Sequence, residues 1–435
     1  MNTVEPLRGG DASRLERRAP ATASLQRRGA TPIRGARILL IGAYRQSLTV
    51  ARSLNAAGMT VILGRAAGKP TPFERSRAVS DVWEHPPISS LESFAVALER
   101  LFVGSDAPDY VLPLGDPEIA LLAVLRPLCT GAIVVAVAPE IQALCQDKHR
   151  LLARAAGLGV PTLSWDLAES AGGLRRAAQQ LGYPLVVKAN HSGSEASRAS
   201  IAFVGGKARF LTSEEELEGL LRSTPFPAAG VLVQQRALGP RHNVYFAASN
   251  GRIRGLAEIA TDRTDRPDGT GFGVEGRSVA LTPSLVEQTT RLVAALQYTG
   301  VGCAQFLVDP ATERSCFLEL NARLGANCAS VVGTGFDLPR LFIELMSGDV
   351  AMQPDAKVGV RYAWLAGDIE GLLECRRAGT LPLAAALRWL GSMTRAQWRA
   401  NTHITFDWRD PRPSVTTATR RVSKMAASLF RTSAR

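Results

Sequence analysis

Gly302-Cys-Ala-Gln305-Phe-Leu-Val-Asp-Pro-Ala-Thr-Glu-Arg-Ser-Cys-Phe-Leu-Glu319-Leu-Asn321-Ala-Arg323 holds the pattern that decides the fold of this chain. Two apolar runs flank Asp309-Pro-Ala-Thr-Glu-Arg314, a turn-forming segment, so the stretch predicts a β-hairpin. With the hairpin centred on Thr312, Gln305 and Glu319 stand opposite one another across the strands. Glu319 and Asn321 are two residues apart and share one face of their strand. Three oxygen-bearing side chains therefore converge, with Arg323 just beyond. Carboxylate and amide oxygens suit Mg²⁺, which keeps several waters and takes its remaining ligands from nucleotide phosphates. A Glu and an Asn at a strand end read equally well as solvated side chains, and a slip of one residue in the register would separate the set.

Working outward, Pro184-Leu-Val-Val-Lys188-Ala-Asn190 is a short apolar run with one lysine inside it, preceded by what reads as the end of a helix over Ala177 to Tyr183. An ammonium in a mostly buried strand is costly unless an anion meets it, so Lys188 points to a phosphate. The next residues, Asn190-His-Ser-Gly-Ser-Glu-Ala-Ser-Arg-Ala-Ser200, are small and polar without periodicity, as in a mobile loop whose backbone N–H groups close over phosphates. Upstream, Asp147-Lys148-His149-Arg150 opens a run that ends in Gly157-Leu-Gly-Val-Pro161. This predicts a helix with Lys148 in its first turn.

In this order the motifs resemble the ATP-grasp superfamily, and within it the branch containing biotin carboxylase, the carbamoyl-phosphate synthetase large chain and many carboxylate–amine ligases. The resemblance spans about residues 140–345. It rests on Asp147-Lys148, Gly182-Tyr-Pro-Leu-Val-Val-Lys188, Val231-Leu-Val-Gln-Gln235-Arg-Ala-Leu238-Gly, Pro240-Arg-His242 and the Gln305…Glu319-Leu-Asn321-Ala-Arg323 hairpin. It implies that two subdomains sandwich ATP, and that Lys148 and Lys188 contact its phosphates. It also implies that Gln235 leads into a hinge whose backbone, around Arg236 to Leu238, binds adenine, with His242 near the nucleotide. Gln305, Glu319 and Asn321 would hold one or two Mg²⁺ ions, with Mn²⁺ an acceptable substitute. Arg323 would stabilise the transferred phosphoryl group. Two departures stand out: glutamines occupy positions 234 and 235, where the family commonly has an acid, and the phosphate loop carries only Gly193 before Gly205.

A chain of 435 residues accommodates two or three domains, and 46% hydrophobic with 21% charged residues is ordinary for a soluble globular protein. No apolar stretch reaches the roughly 20 residues of a membrane span, and the amino terminus lacks a signal-peptide core. The cysteines Cys129, Cys145, Cys303, Cys316, Cys328 and Cys375 form no CxxC pair, which favours reduced core thiols and a cytoplasmic location.

The net charge of +12 suggests nucleic acid, but its distribution does not: residues 1–35 carry seven Arg against three acids, and residues 409–435 carry seven basic residues against one acid. The body between them is nearly neutral. The first tail has the composition of a disordered segment. In the last, Val422, Met425, Ala426, Leu429 and Phe430 recur at helical spacing, which fits a docked terminal helix or one that meets a membrane surface or a partner.

Before the ATP-grasp region, Ala36-Arg-Ile-Leu-Leu-Ile-Gly42, Thr60-Val-Ile-Leu-Gly64, Tyr110-Val-Leu-Pro-Leu114 and Ala132-Ile-Val-Val-Ala-Val137 read as parallel strands alternating with helices. Gly42-Ala-Tyr-Arg45 lacks GxGxxG spacing, so a nicotinamide site is not indicated. Asp116 and Glu118 follow such a strand and could receive an amino group or cap the following helix. Between Thr261 and Gly273 a polar, glycine-rich segment reads as a moving loop, in which Arg263 and Arg266 could clamp a carboxylate or be merely solvated.

The expected architecture is α/β: a basic tail over 1–35, a Rossmann-like domain over 36–139, a two-subdomain ATP-grasp fold, itself α+β, over 140–349 with its hinge near 235–239, and a helical extension with a basic tail over 350–435. The chemistry these parts suit is ATP-driven activation of a carboxylate as an acyl phosphate, followed by attack of an amine. The partners would be a small acid and an amine, with no nucleic acid and no integral membrane segment, and a homodimer is compatible. The alternatives are a bicarbonate- or carbamate-type enzyme and a nucleotide-binding sensor or scaffold without turnover.

Overall fold

The computed structural model describes residues 33–191, 195–237, 239–348 and 355–420. The tail expected to be disordered, up to residue 32, lies outside the described residues, as do Leu238 and the basic stretch holding Val422 to Phe430. Two compact units form. One runs to Ala136 and takes in Met346–Gly348 and the stretch from Asp410; the other comprises Val137–Leu345 and the residues up to Arg409.

In the first unit, β1 (Arg37–Ile41), β2 (Thr60–Ala66), β3 (Asp81–His85), β4 (Tyr110–Pro113) and β5 (Ile133–Val134) form a parallel sheet in the order β3-β2-β1-β4-β5. The central strand β1 is apolar throughout because both its faces are covered: Ile38, Leu39, Leu40 and Ile41 are all fully buried. Leu39 and Ile41 share a core with Phe94, Leu98, Val111, Leu122 and Leu125.

The second unit contains two sheets, the smaller antiparallel throughout and the larger antiparallel except for its last pair, which is parallel. The smaller joins β6 (Trp165–Ala168), β7 (Leu185–Ala189), β8 (Arg209–Leu211) and β9 (Val231–Gln235) in the order β6-β9-β7-β8. The larger comprises β10 (Arg241–Ser249), β11 (Arg252–Thr264), β12 (Gly273–Val279), β13 (Gly300–Val308), β14 (Ser315–Asn321), β15 (Arg361–Ala363) and β16 (Thr402–His403), ordered β14-β13-β10-β11-β12-β15-β16. The linker from β9 to β10 runs close over the end of β13: a Cβ on Gly239, whose φ is +132°, would stand 2.2 Å from the Val308 carbonyl oxygen. Only glycine fits there.

Three expectations are corrected. The segment after residue 350 is not a separate helical extension. Its helices Leu365–Arg377 and Leu383–Arg399 are present, but β15 and β16 complete the large sheet, and the residues from Asp410 return to the first unit. Asp410 is fixed there by Arg52 (3.0 Å), the Ser76 hydroxyl (2.6 Å) and the Arg77 amide (3.1 Å). The polar segment after Asn190 is not loop throughout, since a helix spans Glu195–Val204. The supposed loop from Thr261 is strand as far as Thr264, because β11 continues its pairing with β12 through Arg263 and Thr264, and Arg263 meets the buried Asp368.

Candidate functional site

The hairpin pairs as its spacing predicts. Gln305 is the direct cross-strand partner of Glu319, Cys303 that of Asn321, and a register shift follows between Gln305 and Phe306. On the other side of β13, Asn243 of β10 pairs with Gln305. Gln305, Glu319, Asn321 and Asn243 therefore share one face of the large sheet. Asn321 donates its side-chain N–H to a Glu319 carboxylate oxygen (3.0 Å), which leaves the amide oxygen of Asn321 available as an acceptor.

Lys188 is supplied by the small sheet. Along β7 burial alternates: Leu185 and Val187 enter a core with Leu174, Ala177, Phe203 and Leu217, while Lys188 takes the opposite, half-buried face. Its ammonium donates to the side-chain oxygen of buried Gln234 on β9 (3.0 Å). The side-chain nitrogen of Gln234 is itself buried with no partner, a donor without an acceptor next to the lysine.

Lys148 begins the helix Lys148–Gly157, which Asp147 caps by accepting from the Arg150 amide (3.1 Å). Buried Asn190, at the end of β7, ties this helix start to the lysine strand. Its backbone oxygen accepts from the Lys148 amide (3.1 Å), its side-chain oxygen accepts from the His149 amide (2.8 Å), and its side-chain N–H donates to Asp147 (3.1 Å).

The electrostatics show that the lysines and the hairpin face one another. Burial lowers the Lys188 pKa to about 8, against a supporting pull from Glu319 and with a further push from Lys148. For Glu319 burial acts upward, but Lys148, Lys188, the Asn321 hydrogen bond and Lys207 together hold the carboxyl below its ordinary value. Three lysines thus act on one carboxylate in a partly desolvated space, with more positive than negative charge. Arg323 is half-buried at the end of the hairpin. Burial drives the Cys303 thiol upward and Glu319 adds to this, whereas Arg241 and Arg323 oppose it, so both guanidiniums act on the same face.

The structure does not bring every candidate to this face. His242 neighbours Asn243 along β10 and so points to the opposite side of the sheet, where its ring meets the buried Glu258 carboxylate (2.6 Å). Glu258 also accepts from the Thr282 amide (2.7 Å) and hydroxyl (2.9 Å). Arg263 is not an open clamp: it makes a bidentate pair with buried Asp368 (2.6 Å to each oxygen) and a third bond to Glu275 (3.1 Å). Asp368 further accepts from the Trp389 indole (2.7 Å). Arg266 pairs with Glu374. At the hinge, Gln235 donates to the Leu181 carbonyl (3.0 Å) and the Arg236 amide to the Pro184 carbonyl (3.1 Å), while the Arg236 guanidinium lies over Phe210 at 4.2 Å.

In the first unit, Asp116 and Glu118 occupy the first turn of the helix Asp116–Leu125. Glu118 is buried and accepts the Tyr44 hydroxyl at 2.9 Å on both oxygens; burial raises its pKa, the tyrosine partly offsetting this. Asp116 is half-buried.

Sequence reasoning missed Gln234, Asn190, Lys207 and Arg241. The two-residue period of β9, set against β7, would have put Gln234 beside Lys188. No local pattern marks Lys207, whose ammonium sits over the Phe272 ring at 3.2 Å.

Residues 279–350 match the family model described as the carbamoyl-phosphate synthase L chain, ATP binding domain. Biotin carboxylase 1 of Bacillus subtilis is 27% identical over 239 residues, 51% of this chain and 50% of that protein. The D-alanine–D-alanine ligase of Methylococcus capsulatus is 34% identical over 122 residues, 24% of this chain and 38% of that protein. The chain thus spans half or less of the length of these curated relatives. The biotin carboxylase of Campylobacter jejuni, solved as a beta-gamma-ATP complex, superposes with a TM-score of 0.58 at 18% identity, covering 76% of this chain and 75% of that one. The fold is that of the ATP-grasp enzymes, and the sequence is similar to carboxylase and ligase members of that superfamily.

Proposed function

We propose that this protein is an ATP- and Mg²⁺-dependent ligase that activates a carboxylate as an acyl phosphate and transfers the acyl group to an amine, releasing ADP and phosphate. The observation that carries the proposal is the convergence of Lys148 and Lys188 on the face that holds Gln305, Glu319 and Asn321, where they pull the Glu319 carboxyl below its ordinary value against its burial. An excess of positive charge in a partly desolvated space suits a polyanion such as a triphosphate.

The residues fit Mg²⁺ better than a metal bound wholly by protein. Glu319 is a lone carboxylate flanked by two amide side chains, and among the described residues no three His, Cys, Asp or Glu side chains cluster as a metal site. Mg²⁺ is commonly held by one or two carboxylates together with substrate phosphates. Glu319, Gln305 and Asn321 would hold it, and bound there it would neutralise charge on the phosphates.

The chain's own residues do the rest. Lys188, steered by Gln234, and Lys148, fixed through Asn190, orient the phosphates and offset the charge spread over the transferring group; Arg323 does the same at the end of the hairpin. A carboxylate oxygen takes the phosphoryl group and becomes a good leaving group. The amine nitrogen then bonds to the acyl carbon, the carbon–oxygen bond to phosphate breaks, and the nitrogen gives up a proton. The hinge backbone beyond Gln235 would receive adenine. Arg263 and Arg266 take no part. A cytoplasmic location is supported by six free cysteines, five of them buried.

ADP release with Mg·ATP across pooled amino acids and small acids tests the proposal. Release that requires both an acid and an amine is the expected result. Release with bicarbonate alone would instead favour a carboxylase-type reaction. Stabilisation by Mg·ATP without release under any condition would favour a sensor.

A further inference from the structure

The helix Leu383–Arg399 is packed on one side and bare on the other. Ala386 and Ala396 are buried, whereas Leu383, Leu387, Leu390 and Trp398 are 66%, 61%, 40% and 87% exposed. These four recur at intervals of four, three and eight residues, which at 3.6 residues per turn puts them in a single stripe along the outward face. Isolated exposed leucines are ordinary on a protein surface, but a stripe running the length of a helix and ending in a nearly naked tryptophan is not.

The charge around the stripe identifies what would cover it. From Cys375 to Phe406 the chain has five arginines, at 376, 377, 388, 395 and 399, and no Asp or Glu. Arg388, Arg395 and Arg399 are exposed and lie on the flank of the stripe, about a quarter-turn away. A second copy of the chain placed on this face would oppose arginine to arginine across a two-fold axis. An apolar stripe flanked by arginines, with a tryptophan at one end, matches a surface that is apolar beneath and anionic above. We infer that the outward face of Leu383–Arg399 docks on an anionic membrane surface, as an interfacial helix that lies on the bilayer without crossing it. Among the described residues no helix is long and apolar enough to cross one. The inference stands independently of the proposed ligase reaction.

The test uses the full chain in co-sedimentation with phosphatidylcholine vesicles prepared with and without phosphatidylglycerol. Binding should require phosphatidylglycerol and weaken with salt. Leu387→Ser/Trp398→Ser and Arg388→Glu/Arg395→Glu should each lower it by about tenfold or more, while melting temperature and Mg·ATP stabilisation stay as in the parent. These positions are exposed, so the variants should fold. Unchanged binding by both variants would overturn the inference and assign any lipid affinity to the basic tails. A dimer that dissociates on Leu387→Ser/Trp398→Ser without any vesicle binding would also overturn it, in favour of self-association.

Discussion

Gln305 stands directly across from Glu319, and the register slips one step further along, between Gln305 and Phe306. The slip lets β14 keep Glu319 and Asn321 on the lysine-facing side while Phe306 and Phe317 pair on the other, their rings edge to face at 5.6 Å. The aromatic pair anchors the hairpin from behind and fixes its polar face.

Glu319→Ala should therefore remove the sole carboxylate of the ligand set without disturbing the hairpin. Turnover, read as ADP release, is expected to fall by two or more orders of magnitude. Circular dichroism and the melting temperature should change little. Near-normal ADP release from the folded variant would remove Glu319 from the chemistry.

Lys188→Met keeps most of the side-chain length and deletes the charge. The protein without nucleotide should hold its stability or gain modestly, the gain being limited because the buried Gln234 amide loses the one hydrogen bond described for its oxygen. Stabilisation by Mg·ATP should collapse, since a ligand raises apparent stability only through its binding to the native state. Thermal melts with and without Mg·ATP read both effects, and a variant that still gains the parent's full stabilisation would place Lys188 outside the nucleotide site.

The depressed pKa of Lys188 sets a pH dependence of definite sign. Below about pH 8 the lysine is charged in both states, and the fold bears the full cost of burying an ammonium. Between about 8 and the ordinary value of 10.5, the native state has released a proton that the unfolded chain still holds. Stability should rise through that window by an amount on the order of 3 kcal/mol from this group. Urea denaturation from pH 7.5 to 10.5 should show the rise in the parent and its loss in Lys188→Met; parallel profiles would locate the linkage elsewhere.

Arg263 offers a contrast between a structural and a substrate-binding arginine. Arg263→Met leaves Asp368, fully buried, with only the Trp389 indole as its donor among the described hydrogen bonds. Breaking a buried pair in this way costs about 3–5 kcal/mol, so the midpoint of denaturation should drop markedly. In the fraction that folds, KM for the acid should be close to that of the parent. A large rise in KM with unchanged stability would restore Arg263 as a carboxylate clamp.

The pairing of Gln305 with Glu319 was legible in the sequence because a hairpin turns residue spacing into register: fourteen residues about one turn are enough to set one against the other. Lys148 and Lys188 were legible as cations placed where cations are costly. The side of the sheet that His242 faces was not legible, because a resemblance in motif carries no information on which way a strand residue points; its neighbour Asn243 takes the face of Gln305. Arg263 was misread because its partner, Asp368, lies 105 residues further on, in a helix whose docking no local pattern announces. The closing strands β15 and β16 were missed for a similar reason, being three and two residues long with no alternation to detect.

Those two short strands decide where the chain can be cut. β15 covers the outer edge of β12, pairing Arg361, Tyr362 and Ala363 with Arg277, Gly276 and Glu275, and β16 in turn covers β15. A fragment ending at residue 349, where the nucleotide-binding part looks complete from its motifs, would bare the N–H and C=O groups of β12 as a template for another chain's backbone. Such a fragment should precipitate or assemble edge to edge, and an expression boundary placed beyond His403 should avoid this.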